Sequence, residues 1–97
     1  MFTSKQRAYL KSLASVENAI FQIGKAGCTP EVTTAIEQAL NARELIKISV
    51  LNNSDEDPRE VAQMIAERTH SEVVQVIGKK IVLYKKSEDN PTIVLPK

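Results

Sequence analysis

The hydrophobic period of this chain changes at residue 44, and that change restricts the fold more than any other feature. Upstream, Val32, Ala35, Ile36, Ala39 and Leu40 recur at i, i+3, i+4, i+7 and i+8, the spacing of a single buried helix face. Thr29 offers a capping hydroxyl and Pro30 suits the first helical position. From Glu44 to Leu51 the period becomes two, with Ile46, Ile48 and Val50 on one side and Leu45, Lys47, Ser49 and Leu51 on the other. A helix that runs straight into a strand of this kind implies an α/β fold with the strand central or nearly so.

The remaining segments fit around that pair. Thr3 and Gln6 have capping-box spacing, and Leu10, Leu13 and Ala14 repeat at helical intervals with Phe2 and Tyr9 alongside, so a helix is expected near the start with Lys5, Arg7 and Lys11 on its wetter sides. Asn18 to Ile23 reads as a strand with Ala19, Phe21 and Ile23 on one face. After a polar turn at Asn52 to Glu56, Asp57, Pro58 and Glu60 supply cap, first position and capping-box carboxylate for a helix bearing Val61, Met64, Ile65 and Arg68, with His70 at its end. Glu72 to Ile77 and Lys80 to Lys85 are β-rich runs joined by Gly78 and Lys79, a hairpin signal. The expected order is αβαβαββ: a compact two-layer α/β sandwich with a mixed sheet of about four strands, whose right-handed crossovers put the middle two helices on one face. Residues 1–86 form the expected domain, and 87–97 an expected tail with Ile93 to Leu95 docking back on it.

Ninety-seven residues suffice for one core and no more. Thirteen Lys and Arg against twelve Asp and Glu leave a net charge of +1, which excludes a protein that binds nucleic acid merely as a polycation. Any such binding depends on how charge is distributed, and the sequence permits a basic face beside the acidic stretch Asp55 to Glu60. One cysteine makes no internal disulfide, no signal-peptide pattern opens the chain, and no apolar run reaches the roughly 18–20 residues of a membrane helix, so a cytoplasmic location without a membrane partner is expected.

Between the first strand and the second helix stands Gly24-Lys25-Ala26-Gly27. Glycines there allow positive φ and close approach of a ligand. Exposed loop amides, the positive end of the following helix and the Lys25 ammonium all favour an anion at the same place. A loop of this form clamps a nucleic-acid backbone in GxxG proteins. The alternative is a turn in which both glycines serve the chain and Lys25 is simply solvated.

The chain resembles the CRM domain of chloroplast RNA splicing and ribosome maturation proteins, in its bacterial single-domain YhbY-type form. The resemblance covers about residues 2 to 86. It rests on Lys5, Arg7, Leu10 and Leu13, on Ile23-Gly24-Lys25-Ala26-Gly27-Cys28-Thr29 with Val32 beyond, on Glu44-Leu45-Ile46-Lys47-Ile48, on Val74-Gln75-Val76-Ile77-Gly78 and on Leu83-Tyr84-Lys85. It implies an RNA-binding protein without catalytic activity, with a KH-like GxxG loop and a core similar to the C-terminal domain of bacterial translation initiation factor three. It also implies a partner in ribosomal RNA of the large-subunit precursor and a role in ribosome biogenesis. Carried over by position, Gly24, Lys25, Ala26 and Gly27 contact RNA and Thr29 holds the helix start. Cys28 and Lys85 depart from the pattern, which more often has a larger apolar residue and an arginine.

Lys5, Arg7, Lys11, Lys79 and Lys80 complete the candidate RNA-binding set as phosphate contacts. A monomer is expected, and no cofactor is implied. Cys28 stands before a helix N-terminus near Lys25, which can make a thiol reactive and leaves a small enzyme as the last-ranked rival, but it reads better as a small buried residue. His70 as a metal ligand has no second histidine or cysteine pair beside it and reads better as a helix-end residue. Asp57 and Glu60 are taken by capping, and Tyr84 is divided between base stacking and burial. The rival functional reading is a protein–protein adaptor that uses the acidic segment and a sheet edge.

Overall fold

The computed structural model describes residues 2–51 and 56–96. Seven elements follow in the expected order: α1 (Ser4–Ala14), β1 (Phe21–Ile23), α2 (Pro30–Arg43), β2 (Leu45–Val50), α3 (Pro58–Thr69), β3 (Glu72–Ile77) and β4 (Lys80–Tyr84). Three helix starts are set by local chemistry. The Thr3 hydroxyl accepts from Gln6 N while Gln6 Oε1 accepts from Thr3 N, each at 3.1 Å, a complete capping box. Thr29 Oγ1 accepts from Val32 N at 3.3 Å ahead of Pro30. Asp57 caps α3 by accepting from Arg59 N at 3.0 Å rather than from Glu60. Of the turn expected over Asn52 to Glu56, residues 52–55 lie outside the described residues.

The sheet has the order β1-β2-β4-β3, with β1 parallel to β2 and the other pairs antiparallel. Its mixed character follows from the connections: α2 carries the crossover between the parallel strands, whereas the two-residue turn at Gly78 and Lys79 makes a hairpin. Gly78 has φ +56°, as such a turn requires. On one face Ile23, Ile46, Ile48, Val50, Ile81 and Leu83 meet Ile36 and Leu40 of α2 and Val61, Ala62, Ile65 and Ala66 of α3. The middle two helices lie together on that face, as expected, and α1 adds a third layer to the two expected. α1 crosses the opposite face, where Leu10 and Ala14 pack on Leu45, Val74, Val82 and Tyr84. Complete burial of Leu10 stabilises this second contact by about 1.5–3 kcal/mol.

β2 begins at Leu45 and not at Glu44, because Glu44 is the C-terminal cap of α2 with φ +66°. Glycine or asparagine usually fills such a position. The glutamate is held by its own carboxylate, which is fully buried and gathers the chain beyond β4. Oε2 accepts from Ser87 N at 2.9 Å. Oε1 accepts from Thr92 N at 2.6 Å, Thr92 Oγ1 at 3.1 Å and Ile93 N at 2.8 Å. Burial pushes the Glu44 carboxyl pKa upward, but the amides of Ser87, Ile93 and Thr92 and the Thr92 hydroxyl outweigh it and hold the carboxyl below its ordinary range. Ile93 and Leu95 then reach the α1 side of the sheet, and Gln6 Nε2 donates to Pro96 O at 3.1 Å.

Candidate nucleic-acid interface

The loop after β1 is a tight turn closed by Gly27 N donating to Gly24 O at 3.0 Å. Lys25 and Ala26 form its exposed tip, and neither has positive φ, which makes the turn type I. Gly27 follows at φ +74°. A Cβ there would sit 3.4 Å from Glu56 Oε1, an ordinary contact, so the backbone dihedral and not lack of space is what calls for glycine. Gly24 carries no such requirement. The Gly27 amide is spent on closing the turn, which leaves the tip amides of Lys25 and Ala26 as the ones a phosphate would meet.

The turn delivers the chain to α2, fourteen residues long and capped by Thr29. Its dipole and the Lys25 ammonium favour an anion at the tip. The Glu56 carboxylate beside Gly27 opposes one on the other flank, so approach is favoured from the Lys25–Ala26 side. Cys28 is half-buried, packs on the α2–α3 core and lies with Sγ 3.2 Å from Thr33 Oγ1, while its carbonyl accepts from Arg68 Nη1 at 3.3 Å. That is a packing residue that ties α3 to the loop. His70 is the left-handed cap of α3, with φ +56°. Among the described residues no cluster of three metal-ligating side chains is found.

The sheet brings part of the basic set to this loop. Leu51 N donates to Ile23 O at 2.8 Å and Val50 N to Lys79 O at 2.7 Å, so the ends of β1 and β2 and the β3–β4 turn share one end of the molecule. Lys79 and Lys80 thereby join Gly24, Lys25, Ala26, Gly27 and Thr29, and Lys80 Nζ donates to Ser49 Oγ at 3.0 Å. α1 packs toward the other end, where β2 begins, and its cations are separate from the loop. Lys5 and Lys11 are exposed, but Arg7 is not the solvated residue expected. Its Nη1 donates to Val73 O at 2.9 Å and Val74 O at 2.6 Å where β3 shifts register, and the guanidinium lies 5.7 Å from the Phe2 ring centroid. A bulge leaves backbone groups outside the ladder, and Arg7 satisfies them.

Tyr84 is likewise internal: it is buried and meets Phe2 edge to face at 5.6 Å, which removes it from base stacking. Burial, with the Glu44 charge in second place, raises its phenol pKa. The residue that sequence reasoning passed over is Lys47, which shares the α1 face of the sheet with Ser49 but lies beyond the cover of α1. The alternation in β2 already put Lys47 and Ser49 on one side, and only the tertiary structure shows that Ser49 is buried and Lys47 left half-exposed.

The CRS1/YhbY (CRM) domain pattern matches residues 2–85. The chain is 47% identical over 96 residues to the "Probable RNA-binding protein YqeI" of Bacillus subtilis, covering 99% of this chain and 100% of that one. A Haemophilus influenzae protein named "RNA-binding protein" is 38% identical over 87 residues, with 90% of this chain and 88% of the relative covered. The solution structure of SAV1595 from Staphylococcus aureus, for which RNA binding has been suggested, superposes with a TM-score of 0.82 at 48% identity, over 99% of this chain and 100% of that one. With a match along nearly its whole length, the chain belongs to the CRS1/YhbY (CRM) domain family.

Proposed function

We propose that this protein binds RNA by holding its sugar–phosphate backbone at the Lys25–Ala26 tip and the start of α2, with Lys79 and Lys80 as neighbouring phosphate contacts. The carrying observation is the strand–turn–helix geometry: an exposed two-residue tip with a lysine, at the N-terminus of a long capped helix, with two further lysines at the same end of the sheet. Relatives named as RNA-binding proteins support the reading. The RNA is ribosomal RNA of the large-subunit precursor, bound in the cytoplasm by a monomer that catalyses no reaction. That part rests on the family's association with ribosome maturation.

The test is fluorescence anisotropy with a structured fragment of large-subunit ribosomal RNA at low and physiological salt. Ala26→Asp is the informative variant, because position 26 has negative φ and the new carboxylate faces the expected phosphate without straining the turn. A folded Ala26→Asp protein with affinity reduced about tenfold or more supports the clamp, and wild-type affinity should itself fall steeply as salt rises. Equal affinity in the two proteins refutes the loop as the contact. Absence of binding by the wild type refutes the RNA reading and favours the adaptor.

A further inference from the structure

On the α1 face of the sheet, paired residues point to the same side and form rows across the strands. One row is Gln22, Ser49, Lys80 and Ile77; the next is Lys47, Val82 and Gln75; a third contains Leu45, Tyr84 and Glu72. α1 covers the third row and reaches Val82. In the first two rows Gln22, Ile77 and Lys80 are exposed and Lys47 and Gln75 half-buried, while Ser49 and Val82 are buried; Lys47, Gln75, Ile77, Lys80 and Val82 surround one depression. Ile77 is 60% exposed, the largest exposure of any large apolar residue within the sheet.

The charge of this patch is one-sided. Lys47 and Lys80 stand on diagonal positions of adjacent strands, about 7–8 Å apart by strand geometry. None of the residues in the two open rows is a carboxylate. Like charges so placed repel each other, and an anion laid across them removes that repulsion. Gln22 and Gln75 add side-chain amides that donate and accept, the groups that read a base edge. The first row begins at Gln22, two residues before the Gly24–Gly27 turn, and ends beside the Gly78–Lys79 turn, so the patch is continuous with the loop site.

We propose that this open sheet face is a second RNA contact, taking unpaired nucleotides of the RNA held by the loop. Lys47 and Lys80 hold phosphates, Gln22 and Gln75 meet base edges, and Ile77 packs against a sugar or base. A flat face without aromatic side chains suits backbone and edge contacts more than stacking, and unpaired nucleotides are the form of RNA whose base edges a protein reaches. The inference rests on the RNA-binding reading above and extends it to a surface that shares only Lys80 with the loop site.

Two fluorescein-labelled RNA probes test it: a hairpin with blunt ends, and the same hairpin with a single-stranded extension. The proteins are the full-length wild type and Lys47→Gln/Gln75→Ala, matched for urea midpoint; both positions belong to the sheet face and neither to the loop site. The wild type should bind the extended probe more tightly than the blunt one. The double variant should lose that gain, weakening the extended probe about tenfold and lowering its salt slope by about 0.7 for the one phosphate contact removed, with blunt-hairpin affinity changed far less. A double variant that keeps the full gain, or a wild type that shows none, overturns the proposal while blunt-hairpin binding leaves the loop reading standing. Failure of the wild type to bind either probe overturns both. Amide shifts at Lys47 and Gln75 that appear only with the extended probe would support the proposal independently of any substitution.

Discussion

Replacing Glu44 with glutamine isolates what the buried carboxylate contributes, because the side chain keeps its shape and loses only its charge and one acceptor. In the native protein two oxygens receive four donors: Ser87 N on Oε2, and Thr92 N, Thr92 Oγ1 and Ile93 N on Oε1. Glutamine can keep its carbonyl oxygen toward the three donors near Oε1, and its NH2 then faces the Ser87 N–H, donor against donor. One charge-assisted bond is lost outright, and bonds to charged groups contribute about 1.5–3 kcal/mol each. The remaining three lose charge assistance, so the expected loss is roughly 2–4 kcal/mol, limited by the free energy with which residues 87–96 dock. The assay is urea unfolding, with the midpoint falling at little change in m, and amide exchange, with Ser87, Thr92 and Ile93 losing protection before the strands. A midpoint shift worth less than about 0.5 kcal/mol, with those amides still protected, would refute the clamp. Glu44→Ala and Glu44→Gly provide an internal check: both delete the carboxylate, but glycine relieves the φ +66° backbone and should be more stable by about 1–2 kcal/mol.

The same carboxylate predicts an acid dependence. Its folded pKa lies below the ordinary 4.5, so its stabilisation is complete above that value and is lost as pH falls through the folded pKa; unfolding midpoints of wild type and Glu44→Gln should therefore converge as the pH is lowered below 4.5. Arg7→Gln removes the guanidinium from two carbonyls at the β3 irregularity and should cost about 2–3 kcal/mol in urea unfolding, with RNA affinity per folded molecule nearly unchanged; a large affinity loss at native stability would restore Arg7 to the RNA contacts. Gly27→Ala should destabilise by about 1–2 kcal/mol through its φ of +74° alone, since the added Cβ meets only an ordinary contact, and thermal unfolding that shows no loss would contradict the left-handed assignment.

Much of the fold was legible because it is written in short-range chemistry. The switch from helical to alternating spacing at residue 44, the Thr3–Gln6 and Thr29–Pro30 starts, and the Gly78–Lys79 hairpin each act within a few residues and depend on no distant partner. The candidate loop was legible for the same reason, since a strand, two glycines, a lysine and a capped helix are contiguous. The division of roles inside that loop was not: that Gly27 has the left-handed backbone and spends its amide on Gly24, and that Glu56 flanks it, are properties of the folded turn.

Arg7 and Lys47 mark the boundary between the two kinds of information. By sequence both are cations on amphipathic elements; in the fold one feeds two backbone carbonyls of β3 and the other stands on an uncovered sheet face. Glu44 is the extreme case, read as the first residue of a strand and found as a helix cap whose carboxylate binds amides 43 to 49 residues further on. Sequence by itself determined the kind and order of the elements, because propensity, period and capping are local. Tertiary structure alone decided which charged groups are spent on the fold and which face outward, because that depends on where β3, α1 and the final segment come to lie.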